Sequence, residues 1–265
     1  MTYKMIALDM DGTLLNSKHE ITEKTINYLK RCMKRGIKVI LSSGRHYNAI
    51  EKYTDILGIR DYQIVINGSV IFDPIECKSV AEYSIDKEVY RGLLNKLDES
   101  KYPYVVFDNR DYYSDSNKLN RLFARLMKRA TGVKGLKVDS YHDIKIPTKI
   151  LVGVEDKESV KDVQKQFMNE ASLETLISGE HIIEIVRDDV NKGVALKYLA
   201  EQYGIEREEI IAFGDSENDI DMLTYAGTAV AMGNAFDHVK SISDFVTKSN
   251  DEEGIVYALE KYLSI

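Results

Sequence analysis

The sequence has no tryptophan, only three prolines and only two cysteines in 265 residues. Cys32 and Cys77 are too few for a disulfide framework, so we expect both to be small core residues in a reducing compartment. Long apolar runs are also missing, because stretches such as residues 70–72 fall far short of the roughly 20 residues that a membrane-spanning helix needs. No secretory signal pattern precedes the first predicted strand, residues 5–8. The sequence therefore predicts a cytoplasmic protein that does not enter a membrane.

An excess of positive charge is absent as well. The chain has 36 Lys and Arg residues against 43 Asp and Glu residues, a net charge of −7, and we do not expect it to bind nucleic acid. Hydrophobic residues make up 44% and charged residues 30%, which is typical of a folded globular chain rather than a disordered one. The length allows one large or two ordinary domains. We expect a monomer.

The order of predicted elements divides the chain into two kinds of region. Apolar strands alternate with amphipathic helices near both ends of the chain, a pattern that predicts βαβ units and a doubly wound, mainly parallel α/β sheet. Paired strands and helices between them predict a separate α+β domain. We therefore expect a core domain over residues 1–83 and 188–265 and an inserted domain over residues 84–187.

Two carboxylates, Asp9 and Asp11, stand one residue apart, directly after the first apolar strand and before Gly12. An Asp-x-Asp at the end of a strand directs one carboxylate, and the carbonyl two residues later, into a single pocket. That pocket can hold Mg²⁺ and present an aspartate as a nucleophile. An acidic turn without a further role is the alternative, because Asp and Gly are ordinary turn residues.

Other polar residues occur where predicted strands end or helices begin. Ser43 follows the second strand, Lys192 opens a helix, and Asp215 and Asp219 follow a strand over residues 210–213. Open parallel sheets bind ligands at the carboxyl ends of their strands. Carboxylates that converge there would repel one another, and a divalent cation would relieve the repulsion. A ligand set made only of oxygen atoms favours Mg²⁺ over Zn²⁺.

The cationic and hydroxyl groups near these carboxylates suggest a phosphoryl ligand. Lys192 can neutralise a phosphate oxygen, and Ser43 can donate a hydrogen bond to one. Backbone N–H groups near Met10, Asp11 and Gly44 can add further donors. A transferring phosphoryl group needs such a surround of metal and donors, and a nucleophilic aspartate would form an aspartyl-phosphate.

Four motifs stand in the order of those of the haloacid dehalogenase superfamily: Asp9-x-Asp11-Gly12-Thr13, Ser43-Gly44-Arg45, Asn191-Lys192-Gly193 and Gly214-Asp215-x-x-Asn218-Asp219. The chain resembles this superfamily along its whole length. The insert between the second and third motifs is similar to the cap of the Cof-type, class IIB, phosphatases. Under this resemblance residues 84–187 form a cap that selects the substrate.

The resemblance implies a role for each residue that matches a motif. Asp9 would be the nucleophile that attacks phosphorus. Asp11 would be the general acid that protonates the leaving alcohol and then the base that activates water. Ser43 and Lys192 match the positions that hold the phosphate. Many relatives have Thr in the second motif, but Ser43 supplies the same hydroxyl.

The resemblance also implies a Mg²⁺ site. Its ligands would be the carboxylates of Asp9 and Asp215 and the backbone carbonyl of Asp11. Asp219 would act directly or through a water, although it could instead be a helix N-cap. Asn218 would contact the phosphate or support its ligands.

These roles favour a Mg²⁺-dependent phosphatase that acts on small phosphorylated metabolites, with sugar phosphates as the first candidates. A phosphomutase is a second possibility, but too few residues separate Asp11 from Ser43 for the small helical cap of the usual mutase relatives. A phosphorylatable switch or sugar-phosphate binding protein is a third, and it would need neither Asp11 nor a large insert. Arg45 could contact the substrate or the phosphate, or it could form a salt bridge to a surface carboxylate.

Overall fold

The structure is a computed structural model that describes residues 3–168, 172–178 and 180–263. The strands in the described part of the chain are β1 (Met5–Asp9), β2 (Lys38–Ser42), β3 (Gln63–Val65), β4 (Val70–Asp73), β5 (Lys78–Glu82), β6 (Tyr104–Phe107), β7 (Tyr112–Ser114), β8 (Leu136–Lys137), β9 (Lys149–Gly153), β10 (Leu173–Ile177), β11 (Ile182–Arg187), β12 (Ile210–Gly214), β13 (Thr228–Ala231) and β14 (Phe245–Val246). The α-helices are α1 (Glu23–Lys34), α2 (Tyr47–Leu57), α3 (Lys87–Glu99), α4 (Lys118–Thr131), α5 (Val160–Phe167), α6 (Lys192–Tyr203), α7 (Ile220–Tyr225), α8 (Asp237–Ser241) and α9 (Gly254–Tyr262). Within the described ranges, no helix is both long enough and apolar enough to cross a membrane.

The described residues form two compact units. The first lies within residues 1–45, 50–80 and 191–265, and the second lies within residues 46–49 and 81–190. The sequence predicted an insert over residues 84–187. Compared with that prediction, the second unit extends three residues further at each end. It also takes in residues 46–49, where the His46 ring packs 5.8 Å from the Phe107 ring and 5.7 Å from the Tyr112 ring, centroid to centroid.

The first unit is built on an eight-stranded sheet with the order β14-β13-β12-β1-β2-β3-β4-β5. The pairs from β14 through to β3 are parallel, whereas β3 and β4 are antiparallel. This sheet is the doubly wound, mainly parallel α/β sheet that the sequence predicted. All residues of β1 and β12 are buried, as expected for central strands that are covered on both faces.

The sheet order determines which polar residues become neighbours. β1 lies between β12 and β2, with Leu8 opposite Phe213 and Asp9 opposite Ser42. The carboxyl ends of all three strands therefore lie along one edge of the sheet. Residues that follow these strands, including Asp215 after β12, are brought together at that edge.

Helix α6 begins at Lys192, and its first turn is capped. The side chain of Asn191 accepts a hydrogen bond from the backbone N–H of Val194 at 2.8 Å, which satisfies one free donor of the first turn. The helix ends at Gly204, which adopts a left-handed conformation with φ 62°. Lys192 is the first residue of this helix and is completely buried.

The second unit is built on a six-stranded sheet with the order β10-β11-β9-β6-β7-β8. Its central pairs are antiparallel. Buried residues from α3, α5 and alternate positions of the strands form its hydrophobic core, among them Leu93, Leu97, Val163, Ile150 and Ile183. The unit has the α+β architecture that the sequence predicted.

The two cysteines differ in their surroundings. Cys32 is buried in α1, as predicted, but Cys77 is exposed. The prediction was wrong for Cys77 because this residue lies in the tight turn between β4 and β5, where its φ is 51° and its side chain cannot reach the core.

Candidate active site

The carboxylate of Asp9 lies at the centre of the acidic cluster in the first unit. Asp9 is the last residue of β1 and is buried. Its Oδ1 accepts a hydrogen bond of 2.5 Å from the ammonium group of Lys192, whereas Oδ2 has no donor among the described residues. A buried carboxylate oxygen without a donor is costly, so its presence suggests a partner that the polypeptide does not supply.

Lys192 joins two carboxylates that come from different parts of the sheet edge. Its ammonium nitrogen lies 2.5 Å from Oδ1 of Asp9 and 2.7 Å from Oδ1 of Asp219. Burial disfavours the charged ammonium, but the carboxylates of Asp219 and Asp9 outweigh that effect and raise the pKa of Lys192 above its ordinary value. Lys192 is therefore charged and positioned to stabilise negative charge at Asp9.

Asp219 has hydrogen bonds on both of its carboxylate oxygens. Oδ1 faces Lys192, and Oδ2 accepts from the backbone N–H groups of Asp215 at 2.9 Å and Ser216 at 3.0 Å. It is the acidic member of a capping box whose N-cap is Ser216. The sequence left a choice between N-cap and ligand for Asp219. Asp219 does stand at the N-cap position of α7, but its side chain makes no capping hydrogen bond to that helix, because its carboxylate closes the capping box of the preceding turn.

Asp215 follows β12, and Thr13, a motif residue to which the sequence gave no separate role, holds it in place. The hydroxyl of Thr13 donates a 2.7 Å hydrogen bond to Oδ1 of Asp215. Gly12 packs so closely against Asp215 that a Cβ atom at position 12 would collide with this carboxylate. The Gly-Thr pair after Asp11 is the sequence signal for this contact, because only a glycine fits there and a hydroxyl is needed next to it.

The carboxylates of Asp9, Asp215 and Asp219 could hold a cation together. One oxygen from each lies within 4.8 Å of the others. Burial, followed by the negative charge of Asp219, raises the pKa of Asp9 well above its ordinary value. Burial raises the pKa of Asp215 to about 6, although the hydrogen bond from Thr13 opposes this shift. Clustered carboxylates that resist ionisation fit a divalent cation with oxygen ligands, because such an ion stabilises their charged form.

Asp11 belongs to a different contact, an ion pair with Arg45. The guanidinium donates from Nε to Oδ2 of Asp11 at 2.7 Å and from Nη2 to Oδ1 at 2.5 Å. Of the two possibilities that the sequence left for Arg45, the structure shows the contact with a carboxylate. This carboxylate is that of the predicted general acid rather than an unrelated surface group.

The remaining predicted phosphate-binding residues lie around the same edge of the sheet. Met10 and Ser43 are buried, and the Ser43 hydroxyl accepts the backbone N–H of Arg45 at 3.1 Å. Gly44 follows Ser43, and a Cβ there would press against the side chain of Asn67. Ser43, Gly44 and Arg45 therefore form a tight loop directly after the end of β2.

The side chain of Asn218 forms hydrogen bonds with two neighbouring residues at the sheet edge. Its Nδ2 donates to Oδ1 of Asn67 at 3.0 Å, and its Oδ1 accepts from the hydroxyl of Ser216 at 2.7 Å. Asn67 has a left-handed backbone with φ 53°, in the turn between β3 and β4. Asn218 thus links the loop after β12 to that turn.

Known proteins are similar to this chain in sequence and in fold. The profile of the haloacid dehalogenase-like hydrolases matches residues 6–259 of the chain. Phosphatase YwpJ of Bacillus subtilis is 34% identical over 98% of this chain and 100% of its own. The B. subtilis 5-amino-6-(5-phospho-D-ribitylamino)uracil phosphatase YwtE is 32% identical over 98% of both chains. The solved structure of a haloacid dehalogenase-like hydrolase from B. subtilis superposes with a TM-score of 0.82 at 35% identity, covering 98% of this chain and 99% of that one.

Proposed function

This chain belongs to the haloacid dehalogenase-like hydrolases, and from that premise we propose that it is a Mg²⁺-dependent phosphatase for small phosphorylated metabolites. Relatives along the full length of the chain are named phosphatases, which supports phosphate-ester hydrolysis as the reaction. We further propose Mg²⁺ as the cofactor, an aspartyl-phosphate as the intermediate and small phosphorylated metabolites as the substrates.

The observation that carries the proposal is the environment of Asp9. One oxygen of this buried carboxylate is held by Lys192, and the other has no donor within the described residues. A carboxylate that is fixed on one side and open on the other is suited to attack an electrophile that carries its own negative charge. A phosphoryl group is such an electrophile, and Lys192 is placed to offset the charge that builds up on it.

The acidic cluster supports Mg²⁺ as the cofactor. We place the ion on the carboxylates of Asp9 and Asp215 and on the backbone carbonyl of Asp11. Because both oxygens of Asp219 already accept hydrogen bonds, its contribution would be to fix Lys192 and to reach the ion through a water. When bound, Mg²⁺ would neutralise charge on the phosphoryl oxygens and orient the group in line with Asp9.

The reaction would proceed in two steps. In the first, an oxygen of Asp9 forms a bond to phosphorus while the ester oxygen departs with a proton from Asp11. In the second, Asp11 removes a proton from a water whose oxygen attacks phosphorus, and the bond between phosphorus and Asp9 breaks. Inorganic phosphate leaves, and both aspartates return to their starting states.

The proposed substrates are phosphate esters of polyhydroxylated carbon chains, such as sugar phosphates. The name of the relative YwtE includes a phosphate on a ribityl chain, which belongs to this chemical class. The proposed nucleophile, acid–base and phosphate-binding residues all lie in the first unit. We therefore propose that the second unit, predicted as a cap over residues 84–187, selects the leaving group.

A screen for phosphate release tests the proposal. Purified protein with Mg²⁺ is assayed against a panel of sugar, polyol and nucleotide monophosphates and against p-nitrophenyl phosphate. We expect release from at least one polyol or sugar phosphate, loss of release with EDTA, restoration by Mg²⁺ and no restoration by Ca²⁺, which prefers more ligands and looser geometry. Full activity after exhaustive chelation would contradict the metal site, and activity retained in an Asp9→Asn variant would contradict the nucleophile.

A further inference from the structure

We propose that Arg45 is a positioning residue for the second chemical step. Its guanidinium would hold the carboxylate of Asp11 where that carboxylate can take a proton from the water that hydrolyses the aspartyl-phosphate. The inference rests on the proposed function, because it concerns how the chain uses Asp11 during turnover.

The ion pair between Arg45 and Asp11 has the geometry of a clamp. Two parallel hydrogen bonds, from Nε at 2.7 Å and from Nη2 at 2.5 Å, fix the plane of the carboxylate. The side chain of Arg45 is only 18% exposed, whereas that of Asp11 is 47% exposed. His19 also approaches Oδ1 of Asp11, at 3.8 Å, but its side chain is 70% exposed. Arg45 is thus the more buried of the two basic side chains beside Asp11.

The backbone of Arg45 is fixed as firmly as its side chain. Its N–H donates to the hydroxyl of Ser43 at 3.1 Å, and its carbonyl accepts from the N–H of Ile66 at 3.0 Å. The backbone carbonyl of Ser43 in turn accepts from the N–H of Asn67 at 3.0 Å. These contacts fix the backbone of Arg45 to the loop that is proposed to bind phosphate. The guanidinium therefore contacts Asp11 from a well-supported position.

The clamp suits the proton-accepting step rather than the proton-donating one. Both oxygens of Asp11 accept from the guanidinium, and each retains a second lone pair that can accept from a water. In that step the water loses its proton to Asp11, its oxygen bonds to phosphorus, and the bond from phosphorus to Asp9 breaks. Loss of the clamp should therefore slow hydrolysis of the aspartyl-phosphate more than its formation.

Kinetics with p-nitrophenyl phosphate separates the two steps, because its good leaving group needs little help from an acid. The value of kcat/KM reports the steps up to departure of p-nitrophenol, whereas kcat also includes hydrolysis of the phosphoenzyme. In Arg45→Met we expect kcat to fall about 10- to 100-fold, part of the roughly 100- to 10,000-fold that acid–base catalysis supplies. We expect kcat/KM to stay within about threefold, with a burst of p-nitrophenol and accumulation of phosphoenzyme. Arg45→Lys should lie between this variant and the unsubstituted protein, because an ammonium cannot form the fork.

Two controls make the test specific. Arg207→Met removes an arginine whose side chain is 54% exposed, and it should leave both constants unchanged. Arg45→Met should add no further loss in an Asp11→Asn background, because a residue that acts through Asp11 has no effect once Asp11 is gone. Thermal denaturation of each variant verifies that it is folded.

Three outcomes would overturn the inference. A raised KM with weaker inhibition by inorganic phosphate would show that Arg45 binds the phosphoryl group itself. An equal fall in kcat and kcat/KM, with no phosphoenzyme, would show a purely structural role. Both results would leave the proposed function intact, whereas an unsubstituted protein that hydrolyses no phosphate ester would contradict the proposed function and this inference together.

Discussion

The ammonium nitrogen of Lys192 lies 2.5 Å from Oδ1 of Asp9, although 183 positions separate the two residues in the sequence. The contact joins the start of α6 to the end of β1, and both groups are buried. A second buried carboxylate, that of Asp219, shares the same ammonium. The two carboxylates repel each other, and the buried ammonium between them offsets part of that repulsion.

Substitution of Lys192 should therefore damage both stability and activity. Lys192→Met leaves Asp9 and Asp219 buried without their cation, and removal of one partner from a buried pair typically costs about 3–5 kcal/mol. We expect a lower free energy of unfolding in chemical denaturation and loss of phosphate release. Lys197→Met is the matched control on the same helix, because the Lys197 side chain is 61% exposed and its ion pair with Glu201, at 4.0 Å, is long and exposed to solvent. We expect this substitution to change the free energy of unfolding by less than about 0.5 kcal/mol. Equal effects of the two substitutions would contradict the role given to Lys192.

Replacement of Asp9, the proposed nucleophile, should have the opposite effect on stability. Because burial and Asp219 raise the pKa of Asp9, its charged form is unfavourable in the metal-free fold. Asp9→Asn removes that charge, so we expect the metal-free variant to be at least as stable as the unsubstituted protein, with no hydrolysis at all. Asp11→Asn should still form phosphoenzyme from p-nitrophenyl phosphate but hydrolyse it slowly, which mass spectrometry of the intact protein can detect. Equal loss of both half-reactions in Asp11→Asn would argue against its acid–base role.

The effect of metal on stability should depend on pH. The folded-state pKa of Asp215, about 6, is higher than its ordinary value, so the metal-free fold binds the proton more tightly than the unfolded chain does. The contribution of Asp215 to stability is thus fully present below its unfolded pKa of about 3.9 and is lost as the pH rises through about 6. If Mg²⁺ binds at Asp215 as we propose, it takes the deprotonated form and should recover this loss. We expect Mg²⁺, relative to EDTA, to raise the Tm more at about pH 7.5 than at about pH 5. We expect Asp215→Asn to reduce this difference, because the buried carboxylate of Asp9 still contributes to it.

Much of the fold could be predicted because its signals are local. Apolar runs followed by polar residues indicated β1, β2 and β12, and the parallel order implied by the helices between strands brought their ends to one edge. The edge strands β5 and β8 were not predicted. Leu136–Lys137 contains only two residues, and Lys78–Glu82 is largely polar and has no fully buried residue. Such strands form because they pair with a neighbouring strand. A short stretch of sequence does not reveal that neighbour.

The candidate site was less predictable at the level of individual contacts. The sequence indicated which residues face the sheet edge, but it could not show that Arg45 pairs with Asp11 or that Thr13 supports Asp215. These contacts join residues from separate loops, and their geometry depends on how the loops close over one another. The shared use of Lys192 by two carboxylates has the same origin, because it requires the full order of strands around β1.

Gly12 offers a final test of how closely the acidic cluster is packed. Gly12 and Gly36 have nearly the same positive φ, 88° and 84°. A Cβ at Gly12 would collide with the Asp215 carboxylate, whereas a Cβ at Gly36 would meet nothing within 4 Å. Both Gly→Ala substitutions should cost about 1–2 kcal/mol in the free energy of unfolding from backbone strain alone. Only Gly12→Ala should also displace Asp215, so we expect it alone to lower the phosphatase rate by about tenfold or more, as misplacement of catalytic groups does, and to weaken Mg²⁺ binding measured by calorimetry. If Gly36→Ala lowered Mg²⁺ affinity as much, the effect would come from general loosening of the fold, and the close contact between Gly12 and Asp215 would have no special part in building the site.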